Sequence, residues 1–559
     1  MTGSSSYSKG MRLSAIPFLL ALAVPGSAAA PGADEAGDAP LFREEVLTGI
    51  STLCGSTEKD YIIEVNGGGL VLGDFDSDGD VDLVVVDGST LERADAGRPG
   101  NPPRLYLNDG SGRFAPAGGA WEMSGGQWGM GGTAGDVDGD GDLDLVVTQW
   151  GPDRLFLNRD GKGFEEATEK SGFRGTAWST SAALLDYDGD GNLDLAVTSY
   201  LRFVTDEIAS REKGTCNWKG HAVMCGPEGL TPIHDRLYRG GGDGTFADVS
   251  VLAKFRPQVA GYALGITTLD YDLDGDTDLY VTNDSTPNHL WENAGDGTFL
   301  EVGTFKSVGH DASGKEQAGM GIATGDLNAD GRPDLFVTNF SAENNALYLS
   351  TGELFRERSS RTRLGGPSRP YLGWGTAMHD FDHDGDLDLA LFNGHVYPQA
   401  DRPGTGTTYA QPDHFYRNDG SVRFEFSPLG DGPARVSRAC ATADVDGDGD
   451  LDIVSLSVEG DVRLLRNVGA SGHWLRVQLR GRTGNTQALG ALVTATWGDT
   501  KRTEEVRTAG GFQSAIPAEV HFGLGAADEV DLEIRWPSGK TQELKAVDAD
   551  RVLVVEEPE

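Results

Sequence analysis

The nine residues Asp74-Phe75-Asp76-Ser77-Asp78-Gly79-Asp80-Val81-Asp82 alternate carboxylates with other side chains around one glycine. The pattern returns as DVDGDGDLD from Asp136, DYDGDGNLD from Asp186, DYDLDGDTD from Asp270, DLNADGRPD from Asp326, DFDHDGDLD from Asp380 and DVDGDGDLD from Asp444. The intervals are 62, 50, 84, 56, 54 and 64 residues, and the long one holds an insert at residues 201–234. A Gly- and Ala-rich apolar run enters each motif, and a run such as DLVVV, DLAVT or DLYVT leaves it. Further on come LYLNDGSGRF, LFLNRDGKGF, LYRGGGDGTF, LWENAGDGTF and FYRNDGSVRF, whose Asn-Asp-Gly and Gly-Asp-Gly steps are hairpin turns. Each unit therefore reads as four antiparallel strands. Seven such units, none able to bury both its faces alone, predict an all-β chain folded as a seven-bladed β-propeller, in preference to an open solenoid.

Carboxylates at positions 1, 3, 5 and 9 converge when Gly at position 6 permits a sharp turn, and an all-oxygen ligand set suits Ca²⁺ better than Mg²⁺. The candidate ligands, with position 7 acting through its backbone carbonyl, are Asp74, Asp76, Asp78, Asp80 and Asp82 in the first loop. They are Asp136, Asp138, Asp140, Asp142 and Asp144 in the second, and Asp186, Asp188, Asp190, Asn192 and Asp194 in the third. The fourth has Asp270, Asp272, Asp274, Asp276 and Asp278, and the fifth Asp326, Asn328, Asp330, Arg332 and Asp334. The sixth has Asp380, Asp382, Asp384, Asp386 and Asp388, and the seventh Asp444, Asp446, Asp448, Asp450 and Asp452. The expectation is up to seven calcium ions. The motif opens like an EF-hand, but position 12 is Val85 or Val147 inside a strand, where an EF-hand needs Glu. The fifth loop, with Asn328 and Arg332, has the least negative ligand set and is expected to bind most weakly.

The 559 residues carry a formal charge of −41, and 32 Asp lie in the seven loops, so the acidity is largely a metal-site signature. Nucleic acid is an unsuitable partner for such a chain, because phosphate binding needs clustered Lys and Arg. Lys9 and Arg12 precede an apolar run at 13–25, followed by small residues at 27–30, which is the order of an export signal; Met11 is an alternative start. Residues 1–30 are thus expected to be a signal peptide, 31–40 a linker, 41–468 the propeller and 472–557 a C-terminal β-sandwich. No stretch is long and apolar enough for a membrane span. The location expected is secreted, periplasmic or cell-surface, and the chain is expected to be monomeric. Of the four Cys, Cys216 and Cys225 bracket part of the insert and are expected to pair; Cys54 and Cys440 fit either a second bridge or two buried thiols.

The C-terminal segment alternates apolar and polar residues in LRVQLR, VDLEIRW and VLVVEE, the pattern of a compact antiparallel sandwich. The seventh repeat lacks the Phe-led ending of the others, and LFREEVLTGI from Leu41 has that pattern, so this segment is expected to supply the outer strand of the seventh blade. Connections between second and third strands vary most, at 88–103, 201–234 and 395–412, and lie on the face opposite the Asp loops. Variable loops on a rigid scaffold suit recognition. No catalytic constellation is visible. The function expected is an exported calcium-binding protein acting as a binding, adhesion or interaction module toward an extracellular protein or glycan. The alternative is a glycan-active hydrolase or lyase using the channel. His379, His383, His395 and His414 fall in one repeat and are the other titratable group to locate.

The repeats resemble FG-GAP/VCBS repeats of the kind found in integrin α-chain propellers. YVTNDSTPNHLWENAGDGTF from Tyr280, MGIATGDLNADGRPDLFVTNF from Met320, NGHVYP from Asn393 and CNWKGHAVMCGPEGL from Cys216 are similar to the cartilage acidic protein family. HWLRVQLRGRTGNTQALGALV from His473, HFGLG from His521 and WPSGKTQEL from Trp536 resemble the ASPIC/UnbV domain that accompanies such propellers. The resemblance implies extracellular adhesion or matrix association and no particular chemistry.

Overall fold

The computed structural model describes residues 41–174 and 177–559. The calls on residues 1–30 and 31–40 lie outside the described residues.

Each Asp motif lies between the first and second strands of a four-stranded antiparallel unit. In the second unit these strands are Trp128–Gly135, Asp144–Trp150, Arg154–Asn158 and Phe164–Glu166. Position 9 of every motif is the first residue of a second strand, as Asp278 is in Asp278–Asn283. Seven such units follow one another. Their first strands stand side by side in chain order, and Ser437–Ala443 of the last meets Gly69–Gly73 of the first, which closes a ring. The fourth strand of the seventh unit is Phe42–Leu53, paired antiparallel with Glu459–Asn467 through Phe42 opposite Asn467. The Phe-led N-terminal segment thus covers a sheet edge that would otherwise be open, and Phe42 packs edge-to-face on Phe381 and Phe415.

Small residues in the first strands let neighbouring sheets approach. A Cβ on Gly321 would lie 2.1 Å from the carbonyl oxygen of Trp374 in the next sheet. Threonines leaving the motif stitch sheets together: Thr148, Thr282 and Thr338 donate to the carbonyls of Thr180, Met320 and Trp374 at 2.6–2.7 Å. Apolar side chains fill the wedges between sheets, as Val71, Val84, Leu145 and Phe156 do between the first two.

The C-terminal residues form a three-stranded sheet of His473–Arg480, Glu519–Gly525 and Arg551–Glu556 and a four-stranded sheet of Leu492–Trp497, Thr500–Glu505, Glu529–Arg535 and Thr541–Asp548. Leu475, Val493, Phe522, Leu532 and Trp536 share one buried cluster with Leu155, Leu184 and Leu195 of the ring. This region is therefore packed onto the ring. Between its sheets, a tip at 509–515 enters the channel. Ser514 and Ala515 pair in parallel with Leu70 and Val71, Gly511 bridges Ile322, and Phe512 is fully buried edge-to-face on Trp374.

Cys216 and Cys225 form a disulfide. Cys54 and Cys440 are separate buried thiols, so the second-bridge option is not what the structure has. Cys54 contacts the carbonyl of Ile63 and belongs to the apolar cluster below the ring, whereas Cys440 packs with Phe381 and Ile453.

Candidate metal centres

The loop backbone is held by its own carboxylates. In all seven motifs the position-1 Asp accepts the amide of the position-6 glycine at 2.8–3.0 Å. Those glycines, from Gly79 to Gly449, have φ between 82° and 107°, where a side chain would be strained. The position-5 Asp accepts the position-7 amide in every loop, at 2.9–3.1 Å. The position-9 Asp roots the loop in the sheet. Asp144, for example, accepts the amide of Val137 at 2.9 Å through one oxygen and that of Asn158 at 2.8 Å through the other.

Ligand oxygens of Asp136, Asp138 and Asp144 lie within 4.8 Å of one another. So do those of Asp186, Asp188 and Asp194, of Asp270, Asp272 and Asp278, and of Asp380, Asp382 and Asp388. In the first loop the group is Asp74, Asp76 and Asp78. None of these five groups includes a position-7 side chain. Position 3 is the informative one. Asp76, Asp138, Asp188, Asp272 and Asp446 each carry a buried Oδ1 with no hydrogen-bond partner among the described residues. Arg159 and Arg239 pair with Asp138 and Asp188 at 2.9 and 2.7 Å, and Arg466 pairs with Asp446; all three use Oδ2 and leave Oδ1 free. In the sixth loop Arg417 takes an oxygen of Asp382.

Burial, reinforced by neighbouring carboxylates, pushes the position-9 acids far up: Asp82 to about 7, and Asp144, Asp194 and Asp452 to about 8. Asp186 and Asp270 at position 1 rise to about 6 and about 7 for the same leading reason. Several carboxylates are thus held together without enough positive charge to offset them. Such a donor set fits a hard divalent cation with oxygen ligands.

Two features escaped the sequence reading. The asparagines before the hairpin turns are clamps between neighbouring units. Nδ2 of Asn108, Asn158, Asn293 and Asn467 donates to the carbonyl of Val445, Phe75, Tyr187 and Phe381, which is position 2 of the preceding unit's loop. Their signal was present as the Asn recurring in LYLN, LFLN, LWEN and LLRN. The second feature is a cap over the loops. Thr486 donates to Asp136 at 2.8 Å, and Asn485 donates through its amide to the carbonyl of Gly191 at 2.7 Å. Arg535 pairs with Asp270 at 3.1 Å, Arg502 with Asp386 at 2.7 Å and Arg476 with Asp444 at 2.6 Å. Arg502 also donates to the carbonyl of Asp326 at 2.6 Å. Among the described residues the loop at 74–82 alone has no such bond to the C-terminal region.

The four histidines do not converge. His379 bonds Thr442, His395 bonds Ser341 and the amide of Tyr397, and His414 lies between Tyr371 and Phe426. His383 packs on His521 at 5.0 Å. Burial lowers His379 and His414 to about 4 and His395 to about 3, so all three are neutral at ordinary pH.

Family comparisons agree with this architecture. The FG-GAP-like repeat family matches residues 74–147, 136–197, 270–337 and 326–391, and the ASPIC and UnbV family matches 481–559. The chain thus carries FG-GAP-like repeats followed by a region matching the ASPIC and UnbV family. It is similar to cartilage acidic protein 1 of Xenopus tropicalis, 28% identical over 276 residues that cover 47% of this chain and 40% of that protein. The protein of that name from Homo sapiens is 28% identical over 274 residues, covering 47% and 39%. The matches thus span about two fifths of the length of these relatives. Among solved structures, an Agrocybe aegerita lectin described as recognising non-reducing terminal N-acetylglucosamine aligns at TM-score 0.37 and 15% identity over 70% of this chain and 85% of that one. The BP39L lectin of Burkholderia pseudomallei aligns at 0.40 and 11% over 73% and 100%.

Proposed function

We propose that this chain is an exported, calcium-loaded seven-bladed β-propeller, capped by a C-terminal β-sandwich, that works as an extracellular interaction module. The observation that carries the calcium reading is the recurring buried Oδ1 of Asp76, Asp138, Asp188, Asp272 and Asp446, which has no partner of its own. A calcium ion at each loop would be held by positions 1, 3, 5 and 9 and by the position-7 carbonyl. It would supply the positive charge that the crowded carboxylates lack, which stabilises the folded state by mass action. Its role is structural. The ring at 41–468 and the sandwich at 472–557 are then one working unit.

The interaction reading rests on how the two faces differ. On the loop face, six of the seven Asp loops bond to the C-terminal region. The opposite face is built from the variable connections between second and third strands and from the insert. That insert crosses the ring: Trp218 packs on His395 at 4.6 Å, Lys219 donates to the carbonyl of Thr405, and Arg211 pairs with Asp60 at 3.0 Å. The partner class is an extracellular protein or glycan, and the similarity to cartilage acidic protein 1 supports an extracellular setting. Among the described residues no helix is long and apolar enough to cross a membrane. The charge of −41 disfavours nucleic acid. A hydrolase or lyase working on the loop side of the channel is disfavoured by the tip at 509–515, which leaves two spaces of about 40 Å³ each around His379 and Thr442. That is room for a few waters. Affinity capture from the extracellular fraction tests the reading: a partner retained in calcium and released by chelator supports it. Turnover of a glycan with no partner retained would favour the enzyme.

A further inference from the structure

The tip at 509–515 closes the channel from the loop side, but on the other side the channel opens into a cavity of about 360 Å³ beneath the disulfide-clasped insert. This size lies within the range of small-molecule sites. Its walls come from separate parts of the chain. Tyr200 leads into the insert, Phe340 and Tyr397 sit on strand connections of the fifth and sixth units, and Trp374 is on a first strand. Cys216, Cys225 and Glu228 of the insert complete one side.

The lining is chemically one-sided. Asp284, Glu343 and Glu228 contribute three carboxylates, and none of the lining residues is a lysine or arginine. Asp284 is half-buried. It accepts hydrogen bonds from two neutral hydroxyls, Tyr200 Oη at 2.5 Å and Ser285 Oγ at 2.8 Å. Among the described residues no cation lies within ion-pair distance of Asp284 or Glu228, and Glu343 has only the exposed Lys315 at 3.4 Å. Burial raises Asp284, and the neighbouring Glu343 adds to the rise. Tyr200, Phe340 and Tyr397, with carboxylates between them, attract positive charge by two routes, through the negative ring faces and through direct pairing, whereas Trp374 already carries the buried Arg438 guanidinium over its ring at 4.1 Å from the centroid and serves as an apolar wall. A neutral sugar would use the rings but would leave the carboxylate charge without an offset.

We propose that this cavity binds a small organic cation of the alkylammonium class, free in solution or as the head of a basic side chain, with Asp284 and Glu343 as charge partners and Tyr200, Phe340, Trp374 and Tyr397 as the aromatic walls. The inference rests on reading the chain as a binding module but needs no macromolecular partner, so it can fail while the partner capture succeeds, and the reverse.

The test is calorimetric titration of the full chain in calcium with choline and with its uncharged isostere 3,3-dimethylbutan-1-ol. Choline is expected to bind at least about tenfold more tightly than the isostere. Asp284→Asn and Glu343→Gln should each weaken choline about tenfold and leave the isostere unchanged. Melting temperatures identify any variant that is merely misfolded, and Glu343→Gln, whose carboxylate lies nearer the surface, stands in if Asp284→Asn does not fold. A peptide with one exposed lysine that competes with choline identifies the basic side chain as the source, and lack of competition identifies a free amine. Equal binding of choline and its isostere, unchanged choline binding in both variants, or binding of a neutral monosaccharide where choline fails would overturn the proposal.

Discussion

The first and sixth motifs, DFDSDGDVD at 74–82 and DFDHDGDLD at 380–388, have the same five aspartates and sit in different surroundings. Asp74 and Asp76 are half-buried whereas Asp380 and Asp382 are buried; Asp78 and Asp384 are both exposed, and Asp82 and Asp388 are both buried. Above the sixth loop, Arg502 reaches Asp386, the carbonyl of His383 accepts the amide of Gly525, and His521 packs on His383. The first loop has no such roof. Burial raises Asp74 and drives its counterpart Asp380 well above the ordinary carboxylate range. The ligand set is thus a property of nine residues. Its access to solvent and the cost of its charge are properties of a domain about a hundred residues further along the chain.

The largest effect should come from the channel tip, whose contacts the two loops share. Phe512→Ala removes a fully buried ring from the channel tip and should cost about 3–5 kcal/mol in chemical denaturation. Because the tip packs on Trp374 before the sixth loop and pairs with Leu70 and Val71 before the first, calcium binding should weaken at both. A smaller but more specific contrast is expected from Asp380→Asn and Asp74→Asn. In saturating calcium Asp380→Asn should lower stability by about 2–3 kcal/mol, the contribution of one ion at roughly a hundredfold excess over its Kd. In chelator the same variant should be close to neutral, because burial already disfavours the charged form of Asp380. Asp74→Asn should show a much smaller difference between the two conditions. Equal behaviour of the two variants in thermal melts would erase the distinction between roofed and open loops.

Acidity gives a third contrast. Asp144, Asp194 and Asp452 have folded-state values of about 8 against an ordinary 3.8. Between about pH 4 and about pH 8 the metal-free folded chain therefore holds protons that the unfolded chain has released, and stability falls as pH rises through that window. In chelator the melting temperature should rise as pH is lowered from 8 to 6. In saturating calcium, which favours the ionised carboxylates, that rise should vanish or reverse. The smallest effect concerns the fifth loop, where Asn328→Asp restores the missing charge and should tighten calcium there by a few-fold. A loop already as tight as its neighbours by titration would remove the rank order.

What the sequence disclosed followed from local rules repeated seven times. The strand–loop–strand units, the position-6 glycines and the pairing of Phe42–Leu53 with the seventh sheet all rest on short patterns whose period is visible by eye. The Cys216–Cys225 bridge was legible because its ends are only nine positions apart. What stayed hidden was long-range. Arg476, Arg502 and Arg535 look like ordinary polar residues of alternating strands, and only the docked fold brings them to Asp444, Asp386 and Asp270. Phe512 lies in GGFQSA, which reads as a loop, because nothing local marks it as the plug of a channel built from residues 70 to 440. The cavity beneath the insert was equally out of reach, since Tyr200, Asp284, Glu343 and Tyr397 are dozens of residues apart.

The account stands most directly on calcium stoichiometry. The full chain, stripped with chelator and dialysed into millimolar calcium, should retain several ions per molecule by elemental analysis, up to seven, and should melt at a clearly lower temperature when they are removed. Less than one ion per chain, with a melting curve that chelation does not move, would contradict it.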